Sequence, residues 1–190
     1  IGVTCAVARG RALCWQGEYQ GQTIKILRGV IRVVRLIEDG NRQVIAFYWP
    51  GDIVPVHVLS PFCTAETVTP CQIVRYNFLN EVCPQDSSRH VDQIVEKMLS
   101  VLLMMGKKNS ISRIASLLLS IRSHLPSDPK RQKCFQLSLP RADIADHVGT
   151  SVETVCRTLA EFKARTLIEL PTRKTIRFLD ITGLSRIADA

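Results

Sequence analysis

No run of apolar residues here is long enough to cross a bilayer as a helix, and no basic-then-apolar leader is present. Neither a membrane partner nor a secretory signal is expected. The seven cysteines are an odd number without a CxxC pair, which argues against a disulfide framework and for a reducing, cytoplasmic setting. Groups for catalysis are missing as well. The four His residues are scattered, carboxylates are not clustered, and no Ser–His, Cys–His or metal-ligand spacing can be assembled. An enzyme, such as a helix-turn-helix recombinase or a nuclease, is therefore the weaker reading. Negative charge is scarce: 17 Asp plus Glu face 25 Lys plus Arg, leaving +8. That balance suits a surface that neutralises phosphates, although ribosomal and membrane-surface binders share it.

The chain does have apolar content. At 190 residues and 46% hydrophobic it can bury a core, as one large or two small domains. Residues 137–168, LSLPRADIADHVGTSVETVCRTLAEFKARTLI, hold two short helical patterns around a glycine turn, a helix-turn-helix signature. Ser138 and Pro140 are expected to supply a cap and a first-turn proline for a helix reaching about Val148. Its inner face would be Ile144, Ala145 and Val148. Gly149 suits the left-handed residue that ends a helix, and Ser151 would cap the next one. Along that second helix Val155, Leu159, Phe162 and Leu167 recur at helical spacing and should point inward, with Val152, Glu153, Cys156 and Arg157 outward. In a major groove Glu153 can accept from a cytosine amino group, and Arg157 can fork onto the two acceptors of guanine. The competing reading is an i,i+4 surface salt bridge between them.

VETVCRTL resembles the recognition helix of the Crp/Fnr family of dimeric bacterial transcription regulators, whose usual pattern is [R/V]-E-T-[V/I]-x-R. Val152 stands where cyclic-AMP-type members carry arginine, so the residues are similar to the Fnr and FixK branches, which read TTG-containing inverted repeats. At Cys156 the Fnr pattern commonly has Ser, and a thiol is the weaker hydrogen-bond donor. The resemblance implies a DNA-contacting set of Ser151, Val152, Glu153, Thr154, Cys156 and Arg157, with double-stranded DNA, a second copy and RNA polymerase as partners.

The remaining chain agrees with it. The opening residues run in mid-pattern without an initiating Met, so a preceding segment of a few tens of residues is expected. Alternation over residues 30–36 and 43–48 around Glu38-Asp39-Gly40-Asn41 reads as a β-hairpin, and Arg28-Gly29 and Pro50-Gly51-Asp52 punctuate further strands. Residues 1–85 thus resemble the family's sensor β-roll. Residues 55–68, PVHVLSPFCTAETV, lack the Gly-Glu and Arg-Ser pairs by which cyclic-nucleotide-binding members hold ribose and phosphate, so cyclic AMP is not expected as a ligand. His57, a lone His expected in a loop, is the one candidate for a haem or small-molecule effector variant of this reading. Cys71 resembles the fourth iron–sulfur ligand of Fnr. Cys5, Cys14, Cys63, Cys83 and Cys134 have no ligand spacing, so no cofactor is expected unless a preceding segment supplies ligands.

Residues 86–108 read as a long dimerisation helix with a seam at Val91, Ile94, Val95, Met98, Val101, Leu102 and Met105, and a second stripe at Leu99 and Leu103. A helix apolar on two sides needs two surfaces, here its own roll and a twin helix across a two-fold axis. After the break Gly106-Lys107-Lys108-Asn109, a further helix places Ile111, Ile114, Ala115, Leu118 and Ile121 on one face and should end before Pro126. Residues 126–133 read as a polar loop. Residues 167–170 and 175–180 alternate around Pro171-Thr172-Arg173-Lys174 as a β-wing, whose Arg173 and Lys174 can touch phosphate. The expected architecture is α+β: an antiparallel β-roll over 1–85, the dimer helix over 86–108, and a winged helix-turn-helix over 109–190.

Overall fold

β-Branched and aromatic residues at alternate positions pair into short antiparallel strands that bury one face each. The computed structural model describes residues 2–38, 40–77, 84–124, 135–136, 139–172 and 175–190, and the side chains of 84–91, 93, 135 and 136 are outside the description. The chain divides into two compact units, Ile1–Val101 and Leu102–Ala190.

In the first unit eight strands run in order: β1 (Val3–Val7), β2 (Ala12–Cys14), β3 (Gln22–Arg28), β4 (Ile31–Leu36), β5 (Arg42–Tyr48), β6 (Ile53–Val54), β7 (Thr64–Thr67) and β8 (Cys71–Asn77). They form two four-stranded sheets, β1-β8-β3-β6 and β2-β7-β4-β5. The expected hairpin is β4–β5, closing at Leu36 opposite Arg42, with Asp39 of its turn outside the described residues. Ile24, Ile26 and Ile73 of one sheet share a core with Leu13, Ile31, Val33 and Ala65 of the other. The sheets join tightly at Gly29, where φ is +92° and a Cβ would stand 2.5 Å from both Cys71 Sγ and the Pro70 carbonyl oxygen. Only glycine fits there. Between β6 and β7 the chain makes a single helical turn, α1 (Val56–Leu59), with Val56 fully buried. His57 therefore lies on a helix rather than in the expected loop, and its Nδ1 is 3.3 Å from Thr23 Oγ1.

Helix α2 (Pro84–Met105) starts two residues before, and ends three residues before, the expected span. Its two stripes fall differently from the sequence reading. Ile94, Lys97 and Val101 are half-buried, whereas Val95 (48% exposed), Met98 (60%), Leu99 (53%), Leu102 (67%) and Leu103 (74%) form one exposed apolar stripe. Of the expected seam Ile94 and Val101 are thus half-buried and Val95, Met98, Leu102 and Met105 exposed, and Leu99 and Leu103 of the second stripe are exposed beside them. The reason is Lys97, whose Nζ donates to Phe47 O (3.3 Å) and Asp52 Oδ2 (2.8 Å) and lies 4.6 Å from the Tyr48 ring centroid, turning that side of the helix to the roll. Val91 is outside the described side chains.

The second unit contains α3 (Ser110–Ser123), α4 (Arg141–Val148), α5 (Val152–Ala164) and α6 (Ile181–Ala188), with a sheet in the order β10 (Ile168–Thr172), β11 (Thr175–Phe178), β9 (Phe135–Gln136). Asn109 caps α3, its Oδ1 accepting from Ser112 N at 2.8 Å. Ile114, Ala115, Leu118 and Ile121 are buried as expected, but Ile111 is only half-buried and Leu117 takes a full core place. The expected loop over 126–133 lies outside the described residues. Helix α6 was not foreseen: Asp180 caps it, accepting from Gly183 N at 2.8 Å, and Leu184 and Ala188 pack inward on α3.

Candidate nucleic-acid interface

Two helices and a hairpin place the candidate residues. Pro140, with φ −56° and ψ 144°, is the residue before α4 rather than in its first turn, because the helix begins one residue later, at Arg141. Ser138 is outside the described residues. Ile144, Ala145 and Val148 are buried, and Gly149 ends α4 in the left-handed region at φ +65°, ψ +57°. Arg113 of α3 braces this turn, donating from Nη1 to Lys107 O (3.3 Å) and from Nη2 to Gly149 O (3.5 Å). A turn held from behind fixes the angle between α4 and α5.

Ser151 caps α5 through Oγ, which accepts from Thr154 N at 3.1 Å and lies 3.0 Å from Thr154 Oγ1. Val155, Leu159 and Phe162 are buried, as their spacing requires. Leu167 is also buried, but from the turn beyond the end of α5. That turn closes with Leu167 N donating to Phe162 O (2.9 Å), and Thr166 adopts φ +55°. Thr158, buried in mid-helix, was not singled out from the sequence. On the outside, Val152, Glu153, Cys156 and Arg157 are all exposed, with Thr154 half-exposed. Among the described residues Glu153 and Arg157 make no ion pair with each other or with a third group. The competing reading, a surface salt bridge between them, is not formed, and both charges face outward one turn apart.

The hairpin is tighter than expected. Thr172 pairs with Thr175, so Pro171 and Thr172 belong to β10 rather than to the expected turn, and Arg173 and Lys174 lie outside the described residues. Its stem is clamped by Arg177 Nη1 on Glu169 Oε2 at 2.6 Å, a directly opposed cross-strand pair.

In the roll, Cys71 is a buried thiol. Its Sγ donates toward Thr69 O (3.2 Å) and Val30 O (3.5 Å), and burial pushes it above the ordinary thiol range. Cys71 is thus engaged as a hydrogen-bonded thiol inside the roll. No trio of His, Cys, Asp or Glu among the described residues could hold a metal ion. Burial also raises the Cys14 and Cys63 thiols, while Cys83 and Cys134 lie outside the described residues. In the 55–68 stretch the buried hydroxyls are already engaged: Thr64 Oγ1 accepts from Gln16 N (3.0 Å), and Thr67 Oγ1 donates to Ala8 O (2.7 Å).

Comparison with known proteins agrees with this geometry. A Crp-like helix-turn-helix domain model matches residues 112–187. The chain is 30% identical over 185 residues to the nitrogen fixation regulation protein FixK of Rhizobium meliloti, covering 95% of this chain and 84% of that protein. It is 25% identical over 192 residues to the transcriptional activator protein FnrA of Stutzerimonas stutzeri, covering 95% and 78%. Among solved structures, FixK2 from Bradyrhizobium japonicum superposes with a TM-score of 0.89 at 20% identity, covering 100% of this chain and 98% of that one. No described helix is long and apolar enough to cross a membrane.

Proposed function

From the premise that this chain belongs to the Crp/Fnr family of transcription regulators, in its FixK-like branch, we propose that it acts as a homodimer reading a TTG-containing inverted repeat in double-stranded DNA. One observation carries the reading: α5 presents Glu153 and Arg157 outward with no partner for either charge among the described residues. A guanidinium held free at the solvent end of a rigid helix can take a guanine edge, and a carboxylate one turn earlier can take a cytosine amino group. Ser151, Val152, Thr154 and Cys156 line the same face, and Arg173 and Lys174 would meet the backbone from the hairpin turn. The two-fold is placed on the apolar stripe of α2, where Met98, Leu99, Leu102 and Leu103 are each more than half exposed along one side of the helix. Residues 1–85 would then serve as the sensor roll, 86–108 as the dimer helix and 109–190 as the DNA-binding part. Relatives named for nitrogen fixation regulation, electron transport regulation and transcriptional activation support control of nitrogen-fixation or redox genes, with RNA polymerase as the proposed partner.

A gel shift without metal or ATP tests the proposal. A TTG-repeat duplex should be retained at least tenfold more tightly than a scrambled duplex of the same composition, with both strands intact afterwards. Equal retention of the two, or strand cleavage, overturns it.

A further inference from the structure

We propose that Lys97 is a positioning residue for the two-fold seam: by pinning one side of α2 on the corner after β5, it keeps the more apolar stripe of that helix turned outward for a second copy. This rests on the reading that the outer stripe of α2 seats a twin helix. The corner, Trp49-Pro50-Gly51-Asp52, is rigid in its own right. Trp49 N donates to Asp52 Oδ2 (2.9 Å) and Asp52 N to Trp49 O (3.0 Å), while Gly51 N donates to Ile26 O (2.8 Å) and Ile26 N to Asp52 O (3.0 Å). Ile26 is fully buried in the core of the roll. An ammonium has three N–H donors, and around that of Lys97 lie Asp52 Oδ2 (2.8 Å), Phe47 O (3.3 Å) and the Tyr48 ring (centroid 4.6 Å). The side chains of Lys97 and Asp52 are only 23% and 22% exposed, so water screens this pair less than an open surface pair.

What the pin opposes is apolar burial. Within the first unit the side of α2 on the roll carries Ile94, Lys97 and Val101, at i−3, i and i+4, all half-buried. The outer stripe carries Val95, Met98, Leu99, Leu102 and Leu103. Apolar contact alone favours the reverse arrangement, because the outer side has the larger apolar area and the inner side sets a charge among its aliphatics. At 3.6 residues per turn, rolling the helix by one residue position would bring Val95, Met98 and Leu102 to where Ile94, Lys97 and Val101 now lie. Leu99 and Leu103 would then face outward beside Glu96 and Ser100, a poorer seam for a twin helix. Lys97 opposes that roll, since it would strip the ammonium of its partners and leave the Asp52 carboxylate without its cation. The dimer surface is thus held out by a side chain of the chain itself.

The intact chain tests this by sedimentation equilibrium. Lys97→Ala should raise the dimer dissociation constant about tenfold or more, and weaken retention of the TTG-repeat duplex with it, in a chain that circular dichroism still shows folded. Lys97→Arg, whose guanidinium can meet the same carboxylate and stack on the same ring, should restore dimerisation. The decisive readout is Met98, which peroxide converts to its sulfoxide. At dilutions where monomers prevail, Met98 should oxidise several-fold more slowly in Lys97→Ala than in the wild type, because it has turned onto the roll; a merely loosened helix would oxidise faster. A dimer constant unchanged in Lys97→Ala, or Met98 oxidised at least as fast as in the wild type, overturns the proposal. Should Lys97→Ala fail to fold, Asp52→Asn must weaken the dimer in its place, and an unchanged constant there overturns the pin equally. A wild-type chain that stays monomeric at every concentration would sink the two-fold reading itself, a result distinct from failure of the pin.

Discussion

Arg157 and Gly29 illustrate two ways in which one residue matters here. Arg157 makes no internal bond among the described residues, so its removal should leave stability unchanged and fall entirely on recognition. Arg157→Ala is expected to lose about 1–3 kcal/mol per half-site and to relax preference at one G·C pair, measured on single-base variants of the repeat. An equal loss on TTG and scrambled DNA would make Arg157 a phosphate contact. Gly29 is the reverse, a corner residue of the first unit that is indispensable to the roll. Its φ of +92° and the 2.5 Å approach to Cys71 Sγ and Pro70 O combine strain with overlap, so Gly29→Ala should cost about 3 kcal/mol or more. Denaturant unfolding reads this directly, and an unchanged midpoint would mean that the β3–β4 corner can open without penalty.

Among the elements, α2 has the divided character that the sequence suggested but could not apportion. Its inner side is tied down by Lys97, which meets Asp52, the Phe47 carbonyl and the Tyr48 ring together. The same packing, with burial as the main cause and Asp52 second, pushes the Tyr48 phenol up. Lys97→Ala should destabilise the first unit by about 1–2 kcal/mol through lost charge-assisted and cation–π contacts, seen as an earlier thermal transition at low salt. A transition that does not move would reduce Lys97 to a surface charge. The outer side, with Val95, Met98, Leu99, Leu102 and Leu103 exposed, is the proposed two-fold seam. Met98→Arg or Leu102→Glu should yield a folded monomer with weak DNA affinity, because a charge in a two-helix seam is buried without a partner. Light scattering that still reports a dimer would move the interface elsewhere.

At the scale of the whole molecule the question is what the roll senses. Residues 55–68 lack the paired acid and arginine that hold a cyclic nucleotide, and the buried Thr64 and Thr67 hydroxyls are bonded to the backbone. A ligand shifts an equilibrium only by its differential affinity for the two states, so cyclic AMP should neither bind nor change operator affinity. Calorimetry at millimolar cyclic AMP should return only heats of dilution, and a saturable isotherm would refute the expectation.

Local pattern sufficed for much of this protein. The αL glycine at 149, the Ser151 cap, the inward Val155, Leu159 and Phe162, and the β4–β5 hairpin were all legible, because caps, turns and periodicity depend on near neighbours alone. The end of the hairpin turn was read too wide because Pro171 and Thr172 carry turn chemistry that the ladder to Thr175 overrides. Helix α6 escaped because eight residues with a Gly in the first turn make a weak pattern, and its apolar face acquires meaning only on α3. Which apolar stripe of α2 turns inward, and whether Glu153 and Arg157 pair or stay apart, were decided by the fold. These depend on contacts between residues distant in sequence, such as Lys97 with Asp52, and no spacing along the chain encodes them.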